Sequence, residues 1–467
     1  MKSIFIGCDS FLALRNVRNA DLGTQLAQKR FAVKVFVDPH QFIGSKAANI
    51  PDIDVFPLFD FHIPEYKTLS HWLSRMELSR KSFKDPGTFF SKLTYRLADR
   101  RMGKLRVYPT FFGGWVSGAL GFYKRYRQNA LDALRQTSQY TEYINLLKLE
   151  RPVLVVGFSP EGSREMALMQ AAVDLGISTL IMIRSRDNLV SKIAFLPKVD
   201  EYFVWSAQQK KYFYHLYPEL RDRPVSIVGS PQFSRHGDPS FRLPRKDFFE
   251  RIRLDPDKPL VVFCLENPNV APHQGNLALA LAEAASAKKV NRDAQLLIRN
   301  HPRAFGSDYD PLNGQQFPGV ALYPEPTTTP FGQHDDNIVR LILEDEPMHL
   351  ATMAYQDVNV NIMSTATIDS AIFDKPIIHI AFDIPASTPA NISVKRFFHR
   401  TDYKVIERTG ASQRAHSLDE LISLVNYALW YPTEKSQQRA ELVALDVGMV
   451  SGAPNDWMLE RFIELAN

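Results

Sequence analysis

Residues 357–383 read DVNVNIMSTATIDSAIFDKPIIHIAFD, and this stretch decides the class of fold. Apolar and β-branched residues dominate 358–363 and again 376–382, which predicts two buried strands. The segment 366–373 between them predicts a short helix. A strand, a helix and a second strand in this order indicate a doubly wound α/β fold.

Two hydroxyl residues, Ser364 and Thr365, stand where the first of these strands gives way to the helix. Hydroxyls at such a junction can cap the helix or, together with the free N–H groups there, hold a phosphate. An earlier apolar strand ends in Arg299, and His301 and Pro302 follow it. Cationic side chains at one strand end and hydroxyls at another predict a diphosphate-binding site, with an ordinary helix cap as the alternative.

The whole chain has the composition of a globular protein with a large core. It contains 467 residues, 45% hydrophobic and 23% charged, with a net charge of +5. This length predicts two domains of about 200 residues each. The cysteines, Cys8 and Cys264, lie in or beside apolar strands of different halves, so we expect buried thiols in a reducing compartment. The chain opens on a short strand rather than a signal peptide, and no apolar run approaches the roughly 20 residues of a membrane span, so we expect a cytoplasmic protein.

The first half of the chain repeats the α/β pattern. Strands predicted over 2–7 and 31–37 enclose a helix predicted over 19–28. Further strands are predicted over 152–158, 178–183, 201–205 and 225–232.

Polar loops follow several of these strands, at the edge where open α/β sheets bind ligands. Asp9 follows the first strand, where it can act as a catalytic base or simply cap a helix. Glu161 stands in the loop after 152–158. The loop after 178–183 also carries Arg184, Ser185, Asp187, Asn188 and Lys192, for which an internally salt-bridged loop is the alternative.

An insertion at 61–130 interrupts this pattern. Within 80–127, Lys and Arg are interleaved with aromatic residues, and Asp85 and Asp99 are the acidic residues. Such a composition favours an anionic membrane surface or a lipid-linked acceptor, with the solvated face of a helical lid as the alternative. The sequence contains no nucleic-acid-binding module, so we expect no nucleic-acid partner.

The second half begins after a charged stretch with three prolines between 232 and 258. We therefore place an N-terminal domain at 1–235 and a second at 245–440, with the helices of 441–467 as candidates to pack back on the first. Glu266 closes the strand predicted over 259–265, and Tyr323 lies near the end of another, where it can stack on a nucleobase. The pair Asp308 and Asp310 stands in a predicted loop, so we expect no metal and no cofactor.

Several short motifs, in this order along the chain, resemble bacterial surface-polysaccharide transferases. The C-terminal motifs are His301-Pro302 and Ser364-Thr365 followed by Asp369, Pro376 and Asp383. They resemble the group that includes CDP-glycerol glycerophosphotransferase-like enzymes, capsule Kdo transferases and bacterial sialyltransferases. The segments 185–189 with Lys192, 204–206 and 228–233 resemble the corresponding edge of surface-carbohydrate biosynthesis proteins, except that Arg186 replaces an expected aromatic residue.

The resemblance covers most of the chain except the basic insertion, and it implies a GT-B fold, in which two Rossmann-like domains face each other across a cleft. We expect the helical basic insertion in the first of these domains. It places the donor nucleotide on the second domain and the acceptor on the first. The implied donor-binding residues are Arg299, His301, Pro302, Tyr323, Ser364, Thr365 and Asp369. The implied acceptor-side residues are Arg184, Ser185, Asn188, Lys192, Ser230 and Glu266. The catalytic candidates are His301 and, as the base, Asp9, Glu161 or Asp187; an inverting and a retaining mechanism both stay open.

The function that this resemblance implies is metal-independent transfer of a sugar or polyol phosphate. The donor would be nucleotide-activated, and the acceptor a surface glycan such as a capsule, free or lipid-linked. A peripheral position at the inner face of the cell membrane stays open. The alternatives are a nucleotide-sugar epimerase of the same fold and a non-catalytic glycan- or nucleotide-binding protein.

Overall fold

The structure is a computed structural model. It describes residues 1–39, 52–59, 80–81, 109, 112–116, 120–121, 123–158, 163–186, 188–191, 196–267, 271–291, 293–301, 312, 315–323, 345–390, 392–400, 403–448 and 453–467.

The described residues form two compact units. One comprises the described residues up to Arg235 together with Asp446–Asn467, and the other comprises His236–Leu445. Each unit contains one sheet, and every pair of neighbouring strands in both sheets is parallel. The predicted α/β class is therefore confirmed.

The first sheet has seven strands in the order β3-β2-β1-β4-β5-β6-β7. Its central strands are buried apolar runs, as expected where helices cover both faces of a parallel sheet. The strands are β1 Lys2–Cys8, β2 Phe31–Val37, β3 Ile53–Pro57, β4 Leu154–Gly157, β5 Ser178–Met182, β6 Glu201–Val204 and β7 Val225–Ile227.

The helix predicted over 19–28 is wrong in its extent, because two helices connect β1 and β2. The first begins after Ser10, whose side chain accepts a hydrogen bond from the N–H of Ala13. Asp21, with a φ of 49°, separates it from the second. The fully described helices of this part are α1 Phe11–Asn19, α2 Leu22–Gln28, α3 Tyr123–Arg135, α4 Ser138–Glu150, α5 Ser163–Asp174, α6 Asn188–Ser191 and α7 Ala207–Leu216.

Most of the basic insertion lies outside the described residues. Of its basic residues, Arg80 and Lys81 are buried, and the ammonium of Lys81 lies 3.4 Å from the ring centroid of Tyr217. Arg127 pairs with Glu219 at 3.4 Å. These three cations are therefore held within the first unit instead of facing solvent.

The second sheet has six strands in the order β10-β9-β8-β11-β12-β13. They are β8 Leu260–Cys264, β9 Gln295–Arg299, β10 Val320–Tyr323, β11 Val358–Asn361, β12 Ile377–Ile380 and β13 Gln413–Ala415. The helices of this unit are α8 Arg245–Ile252, α9 Gln274–Ser286, α10 Glu346–Tyr355, α11 Ala366–Ile372, α12 Lys404–Thr409, α13 Leu418–Trp430 and α14 Ser436–Asp446.

Part of the proline-rich segment at mid-chain is structural core. Phe248, Phe249 and Ile252 on α8 are buried in one apolar cluster with Leu260 and Val262 of β8. The second unit therefore begins well before its first strand.

The last helix, α15 Ala453–Ala466, packs on the first unit. The guanidinium of Arg461 pairs with the buried carboxylate of Glu201 at 2.8 Å, and Phe462 packs edge-on against Phe203 with ring centroids 5.9 Å apart. Among the described residues, no helix combines the length and apolarity that crossing a bilayer requires.

Candidate functional site

The carboxyl edge of the second sheet brings two predicted strand ends close together. β8 lies between β9 and β11, and Cys264 at its end pairs in register with Arg299 on one side and Asn361 on the other. The chain runs outward from β8 to β9 and β10, then returns to β11 on the opposite side. A reversal of strand order of this kind opens a crevice at the carboxyl ends, where α/β proteins bind ligands.

Arg299 is held by a carboxylate at this edge. Its guanidinium donates to Asp345 at 2.8 Å and to the hydroxyl of Thr352 at 3.3 Å. The Tyr323 hydroxyl donates to the same carboxylate at 3.3 Å, and burial followed by the charge of Asp345 raises the pKa of this phenol. Arg299 and Tyr323 thus share a partner that the sequence did not indicate. His301 is half-buried beyond the strand end, and Pro302 lies outside the described residues.

The turn after β11 carries two hydroxyl residues, Ser364, whose hydroxyl is already hydrogen-bonded, and Thr365, which is exposed. The Ser364 hydroxyl accepts from the N–H of Ala366 at 3.2 Å, while the Ser364 N–H donates to the side-chain oxygen of Asn361 at 2.9 Å. Thr365 is exposed, and its side chain makes no capping hydrogen bond. Capping therefore accounts for Ser364 but not for Thr365.

A buried chain of polar side chains holds this turn from below. The Thr367 hydroxyl lies 3.2 Å from the Asn361 oxygen and 2.9 Å from Nε2 of His379. Because the single hydroxyl proton of Thr367 goes to Asn361, Nε2 of His379 must carry a hydrogen and donate it. The Asn361 amide in turn donates to Asn359 at 2.7 Å, which donates to Gln356 at 2.8 Å. The turn is thereby fixed to two neighbouring strands.

Acid should lower the free energy of unfolding through His379, a member of this series of buried side chains. Burial, and secondarily Arg414, lowers the pKa of this ring to about 3 from an ordinary 6.5. The depressed pKa contributes stability that is complete above pH 6.5 and is lost as the pH falls, because only the unfolded chain then takes up the proton. We expect the His379 contribution to fall by about 1.4 kcal/mol per pH unit below 6.5.

Urea unfolding at pH 7 and pH 5 measures this loss. The variant His379→Asn removes the titrating ring, so its free energy of unfolding should fall by about 2 kcal/mol less over this interval than that of the wild type. Equal losses in the two proteins would contradict this role of His379.

Asp369 is buried between two histidines that the sequence did not single out. Its Oδ1 lies 2.7 Å from Nε2 of His236 and 3.4 Å from Nε2 of His349. Burial raises the pKa of this carboxyl, but the two imidazoles outweigh burial and hold it well below its usual range. The sequence did not indicate His236 and His349 as partners because they lie in other segments of the chain. His236 is 133 residues from Asp369.

In the first unit, the carboxyl edge of the sheet contains a buried carboxylate. Glu165 on α5 is fully buried and accepts a hydrogen bond from the N–H of Asp9 at 3.3 Å. Gly7 and Gly157 pair across β1 and β4, and a Cβ at either would lie 2.9 or 2.8 Å from Glu165 side-chain atoms. Two facing glycines therefore make room for Glu165, and this pair is the sequence signal that could have revealed it. Burial, with Glu165 next, raises the pKa of the Cys8 thiol well above its ordinary value.

The polar loop after β5 is held by internal contacts. Arg184 is buried and donates to the Ser10 hydroxyl at 2.8 Å, and its carbonyl accepts from Asn16 at 3.1 Å. The side chains of Ser185 and Asn188 are hydrogen-bonded to each other.

Arg186 forms an ion pair with Asp446, which gives the departure from an aromatic residue at this position a structural reason. Ser230 is fully buried. Glu266, in the second unit, is half-buried beside Gln274, whose side chain accepts its N–H at 2.7 Å. Glu161, Asp187, Lys192 and the pair Asp308 and Asp310 lie outside the described residues.

No protein-family model and no curated protein matches the sequence. Solved structures do. UDP-GlcNAc 2-epimerase from Neisseria meningitidis, bound to UDP-GlcNAc, is 10% identical over 99% of this chain and 100% of that chain, with a TM-score of 0.54. UDP-GlcNAc 2-epimerase from Methanocaldococcus jannaschii is 10% identical over 99% of both chains, with a TM-score of 0.51. A glycosyltransferase from Rickettsia africae is 10% identical over 100% of this chain and 98% of that chain, with a TM-score of 0.50.

Two of these neighbours are UDP-GlcNAc 2-epimerases and the third is a glycosyltransferase, and at such low identity the likeness establishes the fold alone. Two parallel sheets, each covered by helices and reversing its strand order, are what this fold requires. The chain therefore has the GT-B fold, built from two Rossmann-like units.

Proposed function

We propose that this protein is a transferase that moves a sugar or a polyol phosphate from a nucleotide-activated donor to a surface-glycan acceptor, such as a capsule. The observation that carries the proposal is the edge at which β9 and β11 flank β8. Arg299 and His301 end or follow one strand, and Ser364 and Thr365 follow the other. Cationic and hydroxyl donors around one strand-order reversal suit the phosphates of a nucleotide donor.

The residues that bind the nucleotide donor would act at different distances from the bond that breaks. The exposed Thr365 hydroxyl would donate directly to a phosphate oxygen, while Ser364 shapes the turn. His301 would donate to the departing phosphate, and Arg299 would contribute positive charge from its ion pair with Asp345. Fixed donors of this kind stabilise the negative charge that develops as the bond to phosphate breaks. Transfer by these residues requires no metal ion.

On the acceptor side we favour Asp9 as the base of an inverting reaction. It is half-buried at the end of β1, and Glu165 fixes its backbone. A base must be both positioned and reachable, and the fully buried Glu165 meets only the first requirement. Glu161 and Asp187 remain alternative bases.

We further propose a cytoplasmic protein that works at the inner face of the cell membrane. Phe112 and Trp115, in the basic aromatic insertion, are exposed, as residues that enter a lipid headgroup region would be. Since Arg80, Lys81 and Arg127 are held inside the first unit, the attraction to anionic lipid would come from the other basic residues of 80–127.

A nucleotide-sugar epimerase is the second candidate, favoured by the likeness to two UDP-GlcNAc 2-epimerases. The two reactions differ in what they consume. An epimerase inverts one carbon of the donor sugar with no acceptor present, whereas a transferase leaves the sugar configuration of unreacted donor unchanged. Incubation of the protein with UDP-GlcNAc alone, followed by analysis of the sugar, separates them.

Nucleotide binding should stabilise the protein measurably. In a thermal-shift panel of UDP, GDP, CDP and CMP, we expect one nucleotide at about 100 times its dissociation constant to add about 2.7 kcal/mol to the free energy of unfolding. The nucleotide that does so identifies the donor class. Stabilisation by none of the four would contradict the transferase proposal and favour a binding protein without turnover.

The variant Thr365→Val tests the position of the site. Because the Thr365 side chain makes no capping bond, the unliganded variant should be as stable as the wild type. Loss of a hydrogen bond to a charged phosphate should weaken nucleotide binding at least about tenfold. Thr433→Val, at an exposed position of the same unit, is the matched control, and equal affinities in the two variants would remove Thr365 from the site.

A further inference from the structure

Three side chains that commonly bind metal ions converge in the second unit. His236 lies at the start of this unit, His349 on α10 and Asp369 on α11. One donor atom from each, an imidazole nitrogen or a carboxylate oxygen, lies within 4.8 Å of the other two. The cluster therefore joins three segments that are distant in sequence.

The spacing of one donor pair matches that around a tetrahedral ion, and a second pair is closer, at hydrogen-bonding distance. Zinc holds nitrogen and oxygen donors at about 2.0–2.2 Å, so that neighbouring donors are about 3.3 Å apart. Oδ1 of Asp369 lies 3.4 Å from Nε2 of His349 and 2.7 Å from Nε2 of His236. We propose that His236, His349 and Asp369 form a binding site for one divalent transition-metal ion of the Zn²⁺ class.

The chemistry of the donors selects the class of ion. Two imidazole nitrogens and one carboxylate oxygen suit Zn²⁺, Co²⁺ or Ni²⁺, whereas Mg²⁺ and Ca²⁺ favour sites made of oxygen. One carboxylate leaves a bound divalent ion with a net positive charge. The site could therefore take a water or an anion as a further ligand.

The surroundings hold the donors in place and leave one side open. The ring of Phe373 stacks on that of His236, with centroids 5.5 Å apart. The backbone N–H of Asp369 donates to the carbonyl of Thr365 at 3.3 Å, and that of His349 donates to the carbonyl of Asp345 at 2.8 Å. The side chains of His236 and Asp369 are each 4% exposed, but that of His349 is 34% exposed, which gives an ion a route from solvent.

A bound ion would tie the start of the second unit to α10 and α11. Because the unfolded chain keeps these segments apart, binding energy at the site would add to the stability of the folded unit. The expectation of no metal rested on the aspartates at 308 and 310, and it could not anticipate a site assembled from three segments. The inference does not depend on the proposed transfer reaction.

Direct titration tests the site. The full chain is treated with EDTA, dialysed and titrated with CoCl₂ while visible absorption is recorded, and ZnCl₂ binding is measured by calorimetry. We expect one ion per chain and a higher melting temperature with ZnCl₂. His349→Ala, at the more exposed ligand, should weaken Zn²⁺ binding at least about 100-fold. His399→Ala, at an exposed histidine of the same unit, should bind as the wild type does.

Two results would overturn the inference: no stoichiometric binding of either ion by the wild type, or equal Zn²⁺ affinity in His349→Ala and His399→Ala. The first would mean that Asp369 only bridges two imidazoles by hydrogen bonds. Asp369→Asn supplies a second ligand variant if His349→Ala folds poorly. Repeating the nucleotide panel in EDTA keeps the two proposals separate, because nucleotide stabilisation without metal would support the proposed nucleotide site whatever the titration shows.

Discussion

Replacing His301 with alanine is expected to lower the rate of transfer by about 10²–10³-fold, the usual loss when one preorganised donor to a developing negative charge is removed. His301 is half-buried just beyond β9, next to the strand reversal, so it is not part of the buried core. The free energy of unfolding should consequently change little. Once the nucleotide panel has identified the donor, release of free nucleotide measures the rate.

The control for this variant is His399→Ala, in the same unit and exposed to solvent. It should retain the wild-type rate. An unchanged rate in His301→Ala, with the nucleotide still bound, would remove His301 from the mechanism. A loss of rate shared by both variants would point to a general effect on folding.

Replacing Asn361 with alanine is expected to have the largest effect on stability, about 3–5 kcal/mol. The amide of this fully buried residue bonds the Ser364 N–H at 2.9 Å, the Thr367 hydroxyl at 3.2 Å and the Asn359 oxygen at 2.7 Å. Alanine would leave these polar groups without the partner that they have now, and each such group costs about 1–3 kcal/mol. Urea denaturation measures the loss as a lower midpoint.

Asn426→Ala is the matched comparison. Its amide makes two hydrogen bonds instead of three, to the N–H of Asn291 at 2.6 Å and to the carbonyl of Lys289 at 3.0 Å, and it makes them at the surface, where water can replace it. We expect a loss of about 1 kcal/mol or less there. Similar losses in the two variants would show that the buried hydrogen bonds of Asn361 contribute no more to stability than hydrogen bonds at the surface do.

The sequence predicted the two sheets because a strand inside a parallel sheet must be apolar on both faces. β1 and β8 are such runs, and their bounds were close to those observed. β11, which reads Val-Asn-Val-Asn, was predicted from its β-branched residues instead. β3 and β13 were missed. β3 is partly exposed and β13 is only three residues long, and both lie at sheet edges, where burial no longer imposes a pattern.

For the site, the sequence located strand ends but not the partners that occupy them. Arg299 could be named because it follows an apolar run, whereas its pairing with Asp345 depends on how a later helix packs. Glu165 stands inside a helix, where a carboxylate usually faces solvent, and only its fit against Gly7 and Gly157 gives it a buried place. Such pairings join distant segments, and periodicity within one segment does not contain them.

The placement of α15 has a consequence for synthesis on the ribosome. Arg461 and Phe462 cover β6 of the first unit, yet they are translated after all of His236–Leu445. While the second unit is being made, Glu201 remains without its arginine and one face of Phe203 without its aromatic cover. The first unit is therefore translated first but completed last. A nascent chain halted before residue 453 would expose an apolar surface to which chaperones bind.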